Sequence, residues 1–173
     1  MSVSYEKFGT NPPFLHVMSS ECAPREDWYA TYWSNILNIN PGVFIIDSCA
    51  CKTKKQLFDC LKKSLRFPDY FGYNWDALDE CLADLEWLQK AGYVLVLSSA
   101  NYLLDCEDTS EFYNLVTILN EVGHEYASYR DYGLQNTTPK PFHCVFQILE
   151  SKKNSFLNKL SACLAEECFD MIN

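Results

Sequence analysis

Apolar runs separated by amphipathic segments predict a chain in which strands alternate with helices. Residues 43–46, 93–97 and 142–149 are short, continuous apolar runs typical of buried strands. A fourth run, residues 14–18, is typical of an edge strand. Such alternation favours an α/β fold, with a small, mainly parallel sheet of about three strands and right-handed helical crossovers.

Apolar residues at helical spacing place the helices. An aromatic stripe follows Pro24 and predicts a helix that packs on the core, with an exposed docking face as the alternative. Thr53 and Gln56 form a capping-box pattern before an amphipathic helix that ends before Pro68. Asp108 and Glu111 form a second cap pattern, and residues 152–169 are expected to form a closing helix.

Composition narrows the class of protein. The chain has 173 residues, is 48% hydrophobic and carries a formal charge of −9, which predicts one folded domain over residues 1–173. The acidity disfavours nucleic-acid binding, which needs Lys and Arg, and fits a basic protein partner. No apolar run reaches the roughly 18 residues that span a bilayer, and no export signal is visible, so we expect a cytoplasmic protein that binds no membrane.

The nine cysteines are expected to be free thiols in a reducing compartment. Their spacings match no zinc motif, and those at 60, 81, 144 and 163 have apolar neighbours typical of buried positions. Cys49, Cys51 and Cys106 are expected to be exposed. A nucleophilic cysteine with His16, His124 or His143 as base is the alternative.

The segment 67–88, FPDYFGYNWDALDECLADLEWL, contains six carboxylates and no Lys, Arg or His. Asn74 is a favourable N-cap for a helix that begins at Trp75, and Asp76 falls in the first turn, where the helix dipole favours a negative charge. Gly72 permits an unusual backbone conformation just before that helix.

A helical wheel separates this segment into two faces. Leucines and Cys81 fall on one side. The other side carries Asp76, Asp79, Glu80, Asp84 and Glu86, and also Trp87 if the helix reaches it. Like charges at i, i+4 weaken a helix by about 0.2–0.5 kcal/mol per pair. One interpretation is an acidic face that is simply exposed to solvent and has no binding role. The functional interpretation is an anionic patch with aromatic anchors that replaces phosphates in a basic cleft.

A catalytic use of these carboxylates is disfavoured. A glycosidase needs two carboxyls facing each other across a cleft, and a calcium loop needs oxygens at alternate positions. The sequence therefore predicts no catalytic residue, metal site or cofactor in this segment.

At 67–78, continuing through Glu80-Cys81-Leu82, the sequence resembles the barstar family of ribonuclease inhibitors. The resemblance implies a barstar-like core at about 42–149, an N-terminal extension (1–41) and a C-terminal helix (150–173). It also implies an inhibitor whose loop and helix block a ribonuclease active site.

Carried over by position, Tyr70 matches a contacting tyrosine, and Asn74, Trp75 and Asp76 match the contacting residues where the loop enters the helix. Glu80 matches the family's central contacting carboxylate but is one methylene longer than the namesake's Asp. Asp79 replaces a tryptophan. These departures suggest a different cognate toxin. The predicted partner-binding residues are Tyr70, Tyr73, Asn74, Trp75, Asp76, Asp79, Glu80, Asp84 and Trp87.

The sequence thus predicts an immunity-type inhibitor of a basic ribonuclease or ribonuclease toxin. The alternatives are a barstar-like domain that neutralises another toxin, an interaction domain that has lost inhibition, and a thiol- or carboxylate-dependent enzyme.

Overall fold

The computed structural model describes residues 9–21, 25–131 and 136–172. A five-stranded parallel sheet in the order β2-β3-β6-β1-β7 forms its centre. Its strands are β1 (Leu15–Ser19), β2 (Gly42–Asp47), β3 (Tyr93–Ser98), β6 (Phe142–Ile148) and β7 (Phe169–Met171). β4 (Arg130–Asp131) and β5 (Asn136–Thr137) form a separate antiparallel pair.

Five helices cover the two faces of this sheet. They are α1 (Glu26–Leu37), α2 (Lys54–Leu65), α3 (Trp75–Asp84), α4 (Thr109–Ala127) and α5 (Lys153–Ser161). Buried side chains of α1 pack with Val94 and Val96 on one face. Buried side chains of the other four helices pack with Leu95 and Leu97 on the other. All residues of β3 and β6 are buried, as expected for central strands covered on both sides.

The sheet has two more strands than the sequence predicts. The run at 14–18 does form a strand, but β1 lies between β6 and β7 rather than at an edge. This position explains why its first four residues are all buried. β1 and β7 fall in the segments predicted as extensions, so both segments complete the sheet.

The C-terminal helix is shorter than predicted. It ends at Ser161 rather than continuing to Phe169, and the chain then returns to the sheet as β7. The N–H of Ile172 donates to the carbonyl of Val17 at 3.0 Å, next to the β1–β7 pairing. Only three residues pair in β7, which is too short a run for the sequence to mark as a strand.

Two buried histidines and the partly buried Asp170 link β1, β6 and β7. His16 Nδ1 lies 2.5 Å from Asp170 Oδ1, and His16 Nε2 lies 2.9 Å from His143 Nδ1. Trp33 of α1 stacks on His143 with ring centroids 5.1 Å apart. These contacts fasten the two added strands to the centre of the sheet.

The aromatic stripe of α1 is divided between core and surface. Tyr29 and Trp33 are buried, which agrees with the predicted core packing. Trp28 is 43% exposed and stacks on Tyr32 with ring centroids 4.9 Å apart. Pro24, used to predict the helix start, lies outside the described residues.

Candidate partner-binding surface

The loop before α3 alternates buried and exposed rings. Phe67 and Phe71 are buried, and their ring centroids are 5.0 Å apart. Between them Tyr70 is 75% exposed, the most exposed large hydrophobic side chain among the described residues. The N–H of Phe71 donates to the carbonyl of Pro68 at 3.1 Å, which closes the turn. The phenylalanines therefore anchor a loop that presents the tyrosine to solvent.

The left-handed backbone conformation before α3 occurs at Tyr73, one residue after Gly72, where the sequence predicted it. Tyr73 has φ 52°, in the left-handed region, whereas Gly72 does not adopt a left-handed conformation. A Cβ on Gly72 would lie 3.2 Å from Asn74 Nδ2 and 3.5 Å from the Ala77 Cβ. Tyr73 remains 43% exposed, and the Lys62 ammonium lies 5.2 Å from its ring centroid.

The start of α3 follows the sequence prediction. Asn74 Oδ1 accepts a hydrogen bond from the Ala77 N–H at 2.8 Å, so Asn74 caps a helix that begins at Trp75. The capping box predicted for α2 is also present, since Thr53 and Gln56 each bond the other's backbone N–H.

Trp75 is half-buried and held by two neighbouring helices. Its ring packs edge-on against Phe58 of α2 at 5.0 Å. Its Nε1–H donates to Glu111 Oε2 of α4 at 2.6 Å, and Lys54 Nζ donates to Glu111 Oε1 at 3.0 Å. These bonds lower the pKa of Glu111, with Lys54 the largest contributor.

Asp108 occupies the N-cap position of α4, but its side chain makes no capping bond. The Asp108 and Glu111 pattern therefore predicts the start of α4 correctly, although Asp108 does not form the capping hydrogen bond that the pattern implies.

The acidic face of α3 is exposed and separate from its core face. Leu78, Cys81 and Leu82 are buried, whereas Asp76, Glu80 and Asp84 are exposed. Within the described parts of the chain, none of these three carboxylates lies within ion-pair distance of a Lys or Arg. Their charge is thus available to an external cation.

Asp79 differs from the other acids of α3 because it is half-buried and points toward α4. Burial is the largest cause of its raised pKa, followed by the charges of Glu125 and Glu121. These two residues widen the acidic surface from one helix to two. The sequence interpretation missed them, although Glu121 and Glu125 have the same i, i+4 spacing as the acids of α3.

α3 ends at Asp84, before the predicted acidic face could extend to Trp87. Leu85 adopts a left-handed conformation, with φ 45°. The hydroxyls of Tyr126 and Tyr93 donate to the carbonyls of Asp84 and Leu85, both at 2.8 Å. These bonds satisfy helix-terminal carbonyls that would otherwise lack partners.

Trp87 consequently does not share the acidic face of α3. It lies in a short 3-10 turn, Glu86–Leu88. Its Nε1–H donates to the carbonyl of Leu65 at 2.8 Å, and its ring packs edge-on against Phe67. The sequence places Trp87 beside the carboxylates only if α3 reaches it, and α3 ends three residues earlier.

Four of the described thiols lie in environments that favour their protonated form. Burial raises the pKa of Cys144 and Cys51, and also of Cys81 and Cys163. Cys51 was expected to be exposed but is buried, with its thiol 3.5 Å from the Asp47 carbonyl. Cys49 and Cys106 are exposed as expected, and Cys60 and Cys163 are only partly buried. Across the described ranges, no group of three or more His, Cys, Asp or Glu residues could hold a metal ion.

Fold and surface together define a small α/β protein that presents an acidic helix next to an aromatic loop. The chain belongs to the barstar family: the family described as Barstar (barnase inhibitor) matches residues 42–147, more than half of the chain. The match covers β2 to β6, including α3 and its preceding loop, and leaves β1, α1, α5 and β7 outside. The family implies a protein partner.

The solved structures with which the chain aligns include two origin recognition complex (ORC) structures. The Aeropyrum pernix ORC2 protein in its ADP form is 10% identical, with a TM-score of 0.58 over 95% of this chain and 43% of that one. Drosophila ORC bound to AT-rich DNA and Cdc6 is 11% identical, with a TM-score of 0.45 over 93% of this chain and 48% of that one. The chain thus spans less than half the length of either, and the likeness to the ORC2 protein, at 10% identity, concerns the fold alone. No curated protein matches the chain.

No helix in the described ranges combines the length and apolar character needed to cross a bilayer.

Proposed function

We propose that this protein inhibits a basic ribonuclease or nuclease toxin by placing the loop 67–73 and the acidic face of α3 in the enzyme's active site. The observation that carries the proposal is the set of exposed carboxylates at Asp76, Glu80 and Asp84, which have no ion-pair partner among the described residues. Membership of the barstar family supports the same partner class.

The chemistry of such an inhibitor follows from the substrate it displaces. A ribonuclease binds phosphates with Arg and Lys, and carboxylates form equally strong charge-assisted hydrogen bonds with those side chains. A capped helix fixes the spacing of these carboxylates before contact, which lowers the entropic cost of binding. The exposed ring of Tyr70 supplies apolar area next to the charges, a composition common at binding hot spots.

We infer that the activity is binding rather than catalysis, and that it operates in the cytoplasm. The carboxylates of α3 diverge from a convex helix face, so they do not converge on a reacting atom as a general acid and base must. The pKa of Cys51 and of Cys144 is raised by burial, which disfavours the nucleophilic thiolate.

The experiment is a pull-down from the source cell, followed by an RNA-degradation assay on the captured fraction. Asp76→Asn/Glu80→Gln should lose the partner. The matched control, Glu166→Gln/Glu167→Gln, removes the same charge from exposed positions outside α3 and should retain it. Ribonuclease activity that the wild-type protein suppresses supports the proposal. Equal capture by both double variants would contradict the assigned surface.

A second target class keeps the same surface. Asp79 stands where the family's namesake has tryptophan, and its half-buried carboxylate faces two more acids on α4. This extra charge favours a partner different from the namesake's enzyme. A captured toxin without ribonuclease activity, released by Asp76→Asn/Glu80→Gln, would assign the protein to that class.

A further inference from the structure

A cleft of about 280 Å³ lies outside the proposed inhibitor surface. One wall is the segment after β3, with Asn101, Tyr102 and Asp105. The other wall belongs to the segment after β6, with Lys152, Ser155 and Lys159. The cleft thus lies beyond the carboxyl ends of two neighbouring parallel strands, the position where open α/β sheets bind ligands.

The lining of this cleft is positively charged, in contrast to the protein as a whole. Lys152 and Lys159 face one carboxylate, Asp105, whereas the chain carries a net charge of −9. Neither lysine forms an ion pair within the residues that the structure describes. The two ammonium groups therefore retain their capacity to bind an anion.

Lys159 is the more unusual of the two lysines because its charge is partly desolvated. Its Nζ lies 3.4 Å from the Leu103 carbonyl and 4.0 Å from the Phe112 ring centroid. Burial lowers the pKa of this ammonium group. A partly desolvated cation without an ion pair is costly, and an anion in the cleft would offset that cost.

Asn101 is a second incomplete polar group in the same lining. Both atoms of its side-chain amide are buried and make no hydrogen bond to a described residue. Buried amides almost always have partners. An oxygen-rich ligand in the cleft would bring acceptors close to this amide, whose side chain lines the cleft.

We propose that this cleft binds a compact phosphate-type dianion, either inorganic phosphate or a small phosphomonoester. Two ammonium groups and the Ser155 hydroxyl can donate hydrogen bonds to several oxygens of one tetrahedral anion. A carboxylate ligand has only two acceptor oxygens and therefore matches these donors less well. The volume is close to the lower limit of about 300 Å³ for small-molecule sites, which favours a small ligand. The cleft is separate from the proposed inhibitor surface, since none of its lining residues belongs to the loop 67–73 or to α3, and its two lysines lie outside the matched residues 42–147.

Calorimetric titration of the full chain with inorganic phosphate, at constant ionic strength in chloride, tests the proposal. We expect saturable binding with a Kd of about 1 mM or below. Lys159→Gln and Lys152→Gln should each weaken it about tenfold, as for loss of a hydrogen bond to a charged group. Lys63→Gln, which removes an exposed charge on α2, should leave it unchanged. Lys159→Met keeps an apolar side chain over Phe112 and should therefore stay folded. Weaker phosphate binding by the folded Lys159→Met protein would show that the loss comes from the missing charge and not from unfolding.

A parallel titration with glycerol 3-phosphate distinguishes the two ligand sources. Tighter binding of the ester assigns a phosphomonoester, with its organic part against Tyr102. Equal or weaker binding of the ester assigns the free ion. Absence of saturable binding of both ligands up to about 10 mM, or equal weakening by Lys63→Gln, would overturn the proposal.

Discussion

The indole Nε1–H of Trp75 donates a 2.6 Å hydrogen bond to Glu111 Oε2, which joins the first residue of α3 to the first turn of α4. The other oxygen of this carboxylate accepts from Lys54 of α2 at 3.0 Å. One carboxylate therefore fixes the position of the candidate binding helix against two others. Glu111 is a positioning residue for the proposed surface, since it acts through Trp75.

Glu111→Ala is expected to destabilise the protein by about 1–2 kcal/mol, because Trp75 and Lys54 both lose their acceptor. Urea unfolding followed by tryptophan fluorescence measures the change. Glu121→Ala is the control on the same helix. It should be neutral or slightly stabilising, because it removes a negative charge near Asp79.

The stabilisation from Glu111 should also depend on pH. The pKa of Glu111 is lowered in the folded state, so its contribution is present above the ordinary value of 4.5 and is lost as the pH falls through the folded-state pKa. The stability difference between wild type and Glu111→Ala should therefore shrink below pH 4.5. A difference that persists unchanged into strong acid would show that the loss is not electrostatic.

Asp79 should behave in the opposite way, because its pKa is raised in the folded state. Between the ordinary value of 3.8 and the raised value, the folded protein binds more protons than the unfolded one, so stability falls as pH rises. Asp79→Asn removes this cost and is expected to raise the melting temperature at neutral pH. The gain should disappear below pH 3.8, where both states are protonated. A lower melting temperature at neutral pH would contradict this account.

Local patterns were sufficient to predict β2, β3 and β6 and the helices α2, α3 and α4, but not the short pair β4 and β5. Asn74 marks the start of α3 because N-cap preference acts within four residues. The end of α3 could not be predicted in the same way, because it depends on hydroxyls of Tyr93 and Tyr126, which are distant in sequence. For this reason the sequence left open whether α3 reaches Trp87.

The sheet order and the width of the acidic surface also depend on distant contacts. β1 has the length and composition of an edge strand, and only its pairing with both β6 and β7 places it inside the sheet. Likewise, Glu121 and Glu125 look like an ordinary helix face until α4 lies beside Asp79. Periodicity identifies such faces without identifying which of them meet.

The polar link between β1 and β7 gives a test of whether residues 1–173 fold as one domain, as the sequence predicts. Asp170→Ala removes an acceptor of the buried His16 ring, so we expect a loss of about 1–3 kcal/mol. Circular dichroism and tryptophan fluorescence should report one coincident unfolding transition for this variant and for wild type. Glu167→Ala, exposed in the same segment, is the control. Two separated transitions would contradict the single-domain prediction.

With the partner captured by pull-down, two of the exposed acids of α3, Asp76 and Glu80, should affect different steps of binding. Long-range attraction speeds the encounter and is screened by salt, so the association rate of the wild type should fall steeply as salt rises. Asp76→Asn is expected to reduce both that rate and its salt dependence. Glu80→Ala should instead raise the dissociation rate about tenfold or more, because a partner cation inside the interface loses its hydrogen-bond acceptor.

Surface plasmon resonance at several salt concentrations separates the two rates. Glu166→Gln, an exposed charge outside α3, should change neither rate by more than about twofold. If Asp76→Asn and Glu80→Ala both bind like wild type, the acidic face of α3 is not the contact surface.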